Sequence, residues 1–192
     1  DKGNGNYAYI DNITEARKTL VNELGGTMFT VAKDEKIQVE FNPANVAEYR
    51  LIGYENRILN KEDFNNDKKD AGEMGVGHVL TTLYEIAPFG QSSDRADPLK
   101  YQEQLGIKPA VLTNELATVK LRYKDADSDN SKLMVHTAGK SESSIKQASD
   151  NLKWSASIAG FGILLRDSDH LAEAKYSEMI ELAESTIGKD KE

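Results

Sequence analysis

Cysteine is absent from this chain of 192 residues. Its absence excludes disulfides, thiolate nucleophiles, Cys-ligated zinc and iron–sulfur clusters. Histidine is scarce, and His78, His136 and His170 show no metal-ligand spacing such as H-x-x-x-H. Positive charge is in deficit, with 24 Lys and Arg against 32 Asp and Glu, a net charge of -8 and a pI near 5.0. Nucleic acid and anionic lipid are therefore disfavoured as partners, because both repel an acidic surface. No apolar run approaches the roughly 20 residues that span a bilayer, and no signal peptide is recognisable. The chain opens without Met on DKGNGNYAYI and reads as a fragment, so a missing signal says nothing of compartment. There is no internal repeat and no low-complexity tract.

What is present is enough apolar residue, 39%, for one large core or two small ones. Between Thr27 and Pro88 apolar and polar residues alternate, as Ile37, Val39 and Phe41 and again as Leu80, Thr82, Tyr84 and Ile86. This is the period of half-buried strands. Asn42 and Pro43 end one strand, and Pro88 and Gly90 another. Ala117, Val119, Leu121 and Tyr123 face one way, while Thr118, Lys120, Arg122 and Lys124 face the other, which predicts one wet face. A turn from Ala126 to Asn130 leads to a return strand with Leu133 and Val135. Six or seven strands are expected between Thr27 and Ala138, with Ile37, Val39, Phe41, Val119, Leu121 and Tyr123 in one core.

Before that region Asn12 caps a predicted helix with Glu15 in the capping-box position, an apolar face of Ile13, Ala16, Leu20 and Leu24, and a stop at Gly25 and Gly26. NYAYI ahead of it reads as a strand without a partner. Phe89 to Glu115 is too long for a plain connection and reads as an insertion at about 89–115. After Gly139 the period becomes about 3.6, and two helices are expected. Trp154, Ile158, Phe161 and Leu165 share one helical face, and Ala172, Tyr176, Met179, Ala183 and Ile187 another. Packing in the core is the simpler use of that aromatic stripe, and an exposed partner-binding face the alternative.

Three stretches carry a resemblance: KIQVEFNPANVAEYRLIGYENR from Lys36, DAGEMGVGHVLTTLYEI from Asp70 and FGILLRDS from Phe161. They resemble the C-terminal domain that follows the von Willebrand factor type A domain in the bacterial YfbK-like family. The N-terminal strand and helix suit any βα unit, and equally the last strand and helix of a type A domain; the sequence that follows favours the second. The fold implied is α+β, mainly an antiparallel, immunoglobulin-like β-sandwich flanked by an N-terminal βα remnant and a C-terminal helical pair. Its expected divisions are a type A remnant at 1–26, the sandwich at 27–139 and helices at 140–192. The resemblance also implies a bacterial cell-envelope setting, periplasmic or surface-exposed, and a protein partner.

Type A domains carry a metal site written D-x-S-x-S, and none occurs here; Asp127 to Ser131 comes nearest, with Asp129 where the first Ser belongs. Any divalent metal of the family therefore belongs to the type A portion, and no cofactor is expected in this segment. Two acidic loops are the local Ca²⁺ candidates, since hard cations need several oxygens from one short loop. The first holds Asp63, Asn65, Asp67 and Asp70, with Glu73 nearby, but Lys68 stands where an EF-hand needs Gly. The second holds Asp125, Asp127, Asp129 and Ser131, with Asn130 at the Gly place and His136 at the twelfth position. Both fail the full pattern. Gly72, Gly75 and Gly77 are in the wrong order for a dinucleotide fingerprint and better suit a bulge or bend. His78 after this bend is a weak acid–base candidate with Glu73 or Asp70, for which no nucleophile is identifiable. The function expected is a non-enzymatic interaction or adhesion-support domain beside a type A module, with a Ca²⁺-binding structural module second and a His78 hydrolase third.

Overall fold

The structure, a computed structural model, describes residues 8–54, 58–88, 114–141, 143–168 and 175–187. Most of the expected insertion, His170 and the C-terminal KDKE lie outside the described residues.

Asn12 caps the N-terminal helix as its side chain predicts: its Oδ1 accepts the Glu15 N–H at 2.8 Å. Helix α1 (Ile13–Arg17) then widens into a π-helical turn, Lys18–Asn22, and α2 (Leu24–Met28) follows. The chain does not stop at Gly25 and Gly26, as expected, but carries helix through them. Gly26 here rests on β3: a Cβ on Gly75 would lie 1.5 Å from the Gly26 carbonyl oxygen, so glycine at 75 lets the two backbones touch. Ala8 to Ile10 form no strand.

The described chain divides into two compact units that alternate along the sequence. The first comprises Asp1–Asn42, Arg57–Leu80 and Glu115–Ala138, the second Pro43–Asn56, Thr81–Asn114 and Gly139–Glu192. In the first, β1 (Thr30–Phe41), β3 (Gly72–Gly75), β5 (Glu115–Asp125) and β6 (Ser131–Gly139) form a sheet in the order β3-β1-β5-β6. β1 runs antiparallel to both β3 and β5, and Ile37 meets Leu121, Val39 meets Val119 and Phe41 meets Ala117. The alternation therefore placed these side chains on one face. It overstated their burial: Ile37 is 42% exposed, and Val39, Phe41, Val119, Leu121 and Tyr123 are half-buried. Among the described residues of this unit, Ala32, Phe64 and Ala117 are the buried apolar side chains.

A bulge interrupts the β1–β5 ladder between Lys33 and Lys36. Asp34 sits in it at φ 54°, a left-handed conformation that Asp tolerates better than most residues. The extra residue shifts the side-chain phase, so one period-2 reading cannot run along the whole of β1.

In the second unit β2 (Val46–Ile52) pairs antiparallel with β4 (Leu83–Pro88), with Arg50 opposite Glu85 and Ile52 opposite Leu83. Strand β4 begins three residues later than the pattern Leu80, Thr82, Tyr84 suggests. The expected helical pair is present as α3 (Asp150–Leu165), capped by Ser149, and α4 (Tyr176–Glu184). Phe161 meets Tyr176 edge-on with ring centroids 6.1 Å apart, and Met179 lies over Gly160. The aromatic stripe is otherwise half-open: Trp154, Ile158, Phe161 and Leu165 are all exposed.

The fold is thus α+β with antiparallel sheets of four and two strands. The immunoglobulin-like assignment goes further than this topology does. Alternation says which side chains share a face, but not which strands are neighbours, and β2 and β4 pair with each other in a sheet of their own.

Candidate functional site

The acidic loop from Asn60 to Ala71 begins with a 3₁₀ turn, Lys61–Asp63, and buries Phe64. From this anchor it crosses the face of β1 and β5 that carries their basic residues. Lys36 Nζ donates to the Asn66 carbonyl, and Lys124 Nζ to the Asp67 carbonyl at 2.9 Å. The Asp67 carboxylate accepts from Arg122 Nη2 at 2.9 Å, from Arg122 Nε at 3.2 Å and from the Ser131 hydroxyl. At the bulge, Asp34 accepts from Lys124 Nζ at 2.6 Å and from the Ala71 N–H at 3.3 Å. The loop is a strap held by buried cations.

The face expected to be wet is thus only partly so: Lys124 is buried, while Thr118, Lys120 and Arg122 are half-buried. Lys36 is 4% exposed. A buried ammonium needs its protons bonded; the strap supplies the Asn66 and Asp67 carbonyls for that purpose, and the β1 bulge supplies the Asp34 carboxylate. Burial opposes the charge on Asp34, yet its hydrogen bond to Lys124 prevails and its carboxyl is held below the usual range. The Ser131 hydroxyl and the Arg122 guanidinium do the same for Asp67. The Asp34 hydrogen bond correspondingly raises Lys124.

The Ca²⁺ candidates fall into this arrangement piecemeal. Asp67, Asp70, Glu73 and Asp129 line one polar cleft of about 260 Å³, so the structure does bring the two acidic loops together. Lys33, Lys68 and Lys124 line it too. Asp129 lies 3.6 Å from Lys33, Asp125 pairs with Lys132, and Asp63 faces Lys69 at 4.0 Å. Asn65, Asp70 and Asp127 are exposed. Among the described residues no group of three or more His, Asp or Glu side chains is placed to hold a metal ion. Asp67 in particular aims its carboxylate at Arg122, which is a different use of an acidic loop from the one its spacing suggests.

His78 closes a turn. Its N–H donates to the Gly75 carbonyl at 3.1 Å, and Gly77 at φ 79° supplies the left-handed residue that the bend needs. The Gly75 N–H in turn donates to His78 Nδ1 at 3.3 Å, and the ring leans on Gly26. One ring nitrogen is therefore committed to backbone. Burial pushes the Glu35 carboxyl up, and the nearby His78 works against that rise.

Sequence reasoning missed Asp34, Lys36 and the pairing of Arg122 with Asp67. A signal existed in the run of cations at Lys36, Lys120, Arg122 and Lys124 on one strand phase together with a loop of opposite charge, but spacing alone does not match such distant partners. In the second unit a cleft of about 510 Å³ lies between β2 and α3, lined by Leu51, Ile52, Leu83, Trp154 and Ile158. At its edge Arg50 pairs with Glu85.

No solved structure matches this chain. Uncharacterized protein YfbK of Escherichia coli (strain K12) is 40% identical over 190 residues, which cover 99% of this chain and 32% of that protein. The chain thus spans about a third of the relative's length. The family model described as Uncharacterized protein YfbK, C-terminal, matches residues 26–192. This chain belongs to the YfbK C-terminal family.

Proposed function

We propose that this chain is a non-enzymatic interaction domain of a cell-envelope protein, which supports a von Willebrand type A module through its N-terminal helix. One observation carries the reading. Residues 13–24 lie outside the segment matched by the family model but inside the similarity to the longer relative, and their apolar side chains are uncovered, with Ile13 85% exposed. Leu20, Val21 and Leu24 are exposed with it. Covering side chains of this size is worth about 1.5–3 kcal/mol each, so a helical segment with four of them open is suited to docking. The strap over the basic face favours a structural domain over a catalytic one, as does the commitment of His78 Nδ1 to the Gly75 backbone. The envelope setting and the type A identity of the docked module rest on sequence resemblance.

Hydrogen exchange tests it, comparing this chain with the whole Escherichia coli relative. In the relative, amides matching residues 13–24 are expected to exchange much more slowly than they do here. Equal exchange in both would remove the docking role, and with it the support function.

A further inference from the structure

The turn after β3 sets an imidazole against the contact between α2 and the sheet. The Val76 N–H donates to the Phe29 carbonyl at 2.9 Å, and Gly75 stands opposite Thr30. Gly75 and Thr30 are thus a non-hydrogen-bonded pair of the ladder, and the Gly75 N–H points away from β1. It meets His78 Nδ1 at 3.3 Å. The opposite side of the ring rests on α2, where a Cβ at Gly26 would stand 3.1 Å from both Cδ2 and Nε2. Because Nδ1 accepts, the neutral ring carries its proton on Nε2, and a second proton can go only to Nδ1. That atom then becomes a donor facing the donor of Gly75, which is buried, while His78 itself is exposed to the water that delivers the proton. A buried N–H that loses its acceptor is left with an uncompensated desolvation cost.

We propose that His78 is a proton-sensitive latch on α2: neutral, it binds the Gly75 N–H and props Gly26 against β3; protonated, it leaves Gly75 for the Glu35 carboxylate, and α2 loosens from the sheet. The charged surroundings give the ring one place to go. From β1, Glu35 is half-buried and within electrostatic reach of His78. On β3, Glu73 is exposed. Helix α2 reads LGGTM and the turn reads Val76-Gly77-His78-Val79, so neither brings another titratable side chain. The direction follows from the hydrogen bond: the latch is complete where the imidazole is neutral and is lost as pH falls. This goes beyond the docking role proposed above and does not depend on it, since the contact lies within one unit of the fold.

The test is amide-exchange protection at Val76 and Phe29 as pH is lowered through the range in which histidines change charge, about 8 to 5, with the β1–β5 ladder as control and the His78 ring followed by NMR. Protection at the two amides is expected to fall about tenfold, the loss of one hydrogen bond, with the midpoint of the ring titration, while the ladder stays constant. Asp34 and Asp67, held below 3.8, and Lys124, raised above 10.5, do not titrate in this window. His78→Asn places a side-chain oxygen where Nδ1 stands but takes up no proton, so it should keep protection at pH 8 and abolish the response. Glu35→Gln should keep the response and move its midpoint to lower pH, because the charged ring loses its carboxylate. The proposal is overturned by protection that does not change with pH, by a midpoint different from that of the ring, by a response that persists in His78→Asn or disappears in Glu35→Gln, or by an equal loss in the ladder.

Discussion

Replacing Gly75 by alanine tests the backbone contact between α2 and β3. The added Cβ would stand 1.5 Å from the Gly26 carbonyl oxygen, 2.4 Å from its carbon and 2.8 Å from its Cα. All three are backbone atoms, so no side chain can turn aside and α2 must move away from the strand. Overpacking of this kind costs about 1–3 kcal/mol, at times more. Displacing α2 also weakens the 2.9 Å bond from Val76 N–H to the Phe29 carbonyl, worth about 1 kcal/mol. Against this, alanine stiffens the unfolded chain by about 0.4–1 kcal/mol, and Gly75 has no positive φ that alanine would strain. The net expectation is a loss of about 1–3.5 kcal/mol, or roughly 2–14 °C in melting temperature for a chain of this size. The control lies in the same strand: a Cβ at Gly72 would meet nothing closer than the Glu35 carbonyl at 4.0 Å, so Gly72→Ala should be close to neutral. Urea titration of both variants, with amide exchange at Val76, gives the comparison. If Gly75→Ala lies within about 0.5 kcal/mol of Gly72→Ala, a size typical of substitutions that touch nothing, the glycine contact does not hold α2.

Phe64→Ala should cost about 3–5 kcal/mol in urea titration, as for a buried Phe, and a loss below about 1 kcal/mol would mean that the strap is not anchored there. Asp34 and Asp67 titrate below their ordinary 3.8 in the fold, so their contribution is complete above that pH and disappears as pH falls through the folded values; an Asp34→Asn, Asp67→Asn variant should show a flatter acid limb. Lys124 has the opposite sign: raised above 10.5, its contribution is complete below that pH and is lost as pH rises further. Glu35 is raised above 4.5 chiefly by burial, so its ionisation works against the fold at neutral pH, and Glu35→Gln should raise stability in urea titration at about pH 7. With Asp67 committed to Arg122, and Asp129 to Lys33, millimolar Ca²⁺ should leave the melting temperature unchanged. A rise of the size expected at a hundred times a dissociation constant, about 2.7 kcal/mol, abolished by Asp63→Ala or Asp127→Ala, would establish the Ca²⁺ module instead.

Local rules made several elements legible. The Asn12 cap, the end of β1 before Asn42 and Pro43, the return hairpin after Asp125 and the change to helical period beyond Gly139 each follow from chemistry within a few residues of where they act. The apolar phase of β1 and β5 was legible too, because alternation and antiparallel pairing carry the same information, and Ile37 meets Leu121 as that phase requires. Recognition of the family drew on the same stretches, from Lys36, Asp70 and Phe161.

What the tertiary structure decided is what depends on residues far apart in the chain. Asp67 reads as a metal ligand until Arg122, 55 residues away, takes its carboxylate. Lys124 reads as solvated until the strap covers it, and Gly26 reads as a helix stop until Gly75 arrives beneath it. Side-chain type and spacing determined which groups carry charge and which strands have two faces. Only the fold determined which charges meet, because a strap closing on a sheet obeys the summed energy of distant partners, and no local period encodes that sum.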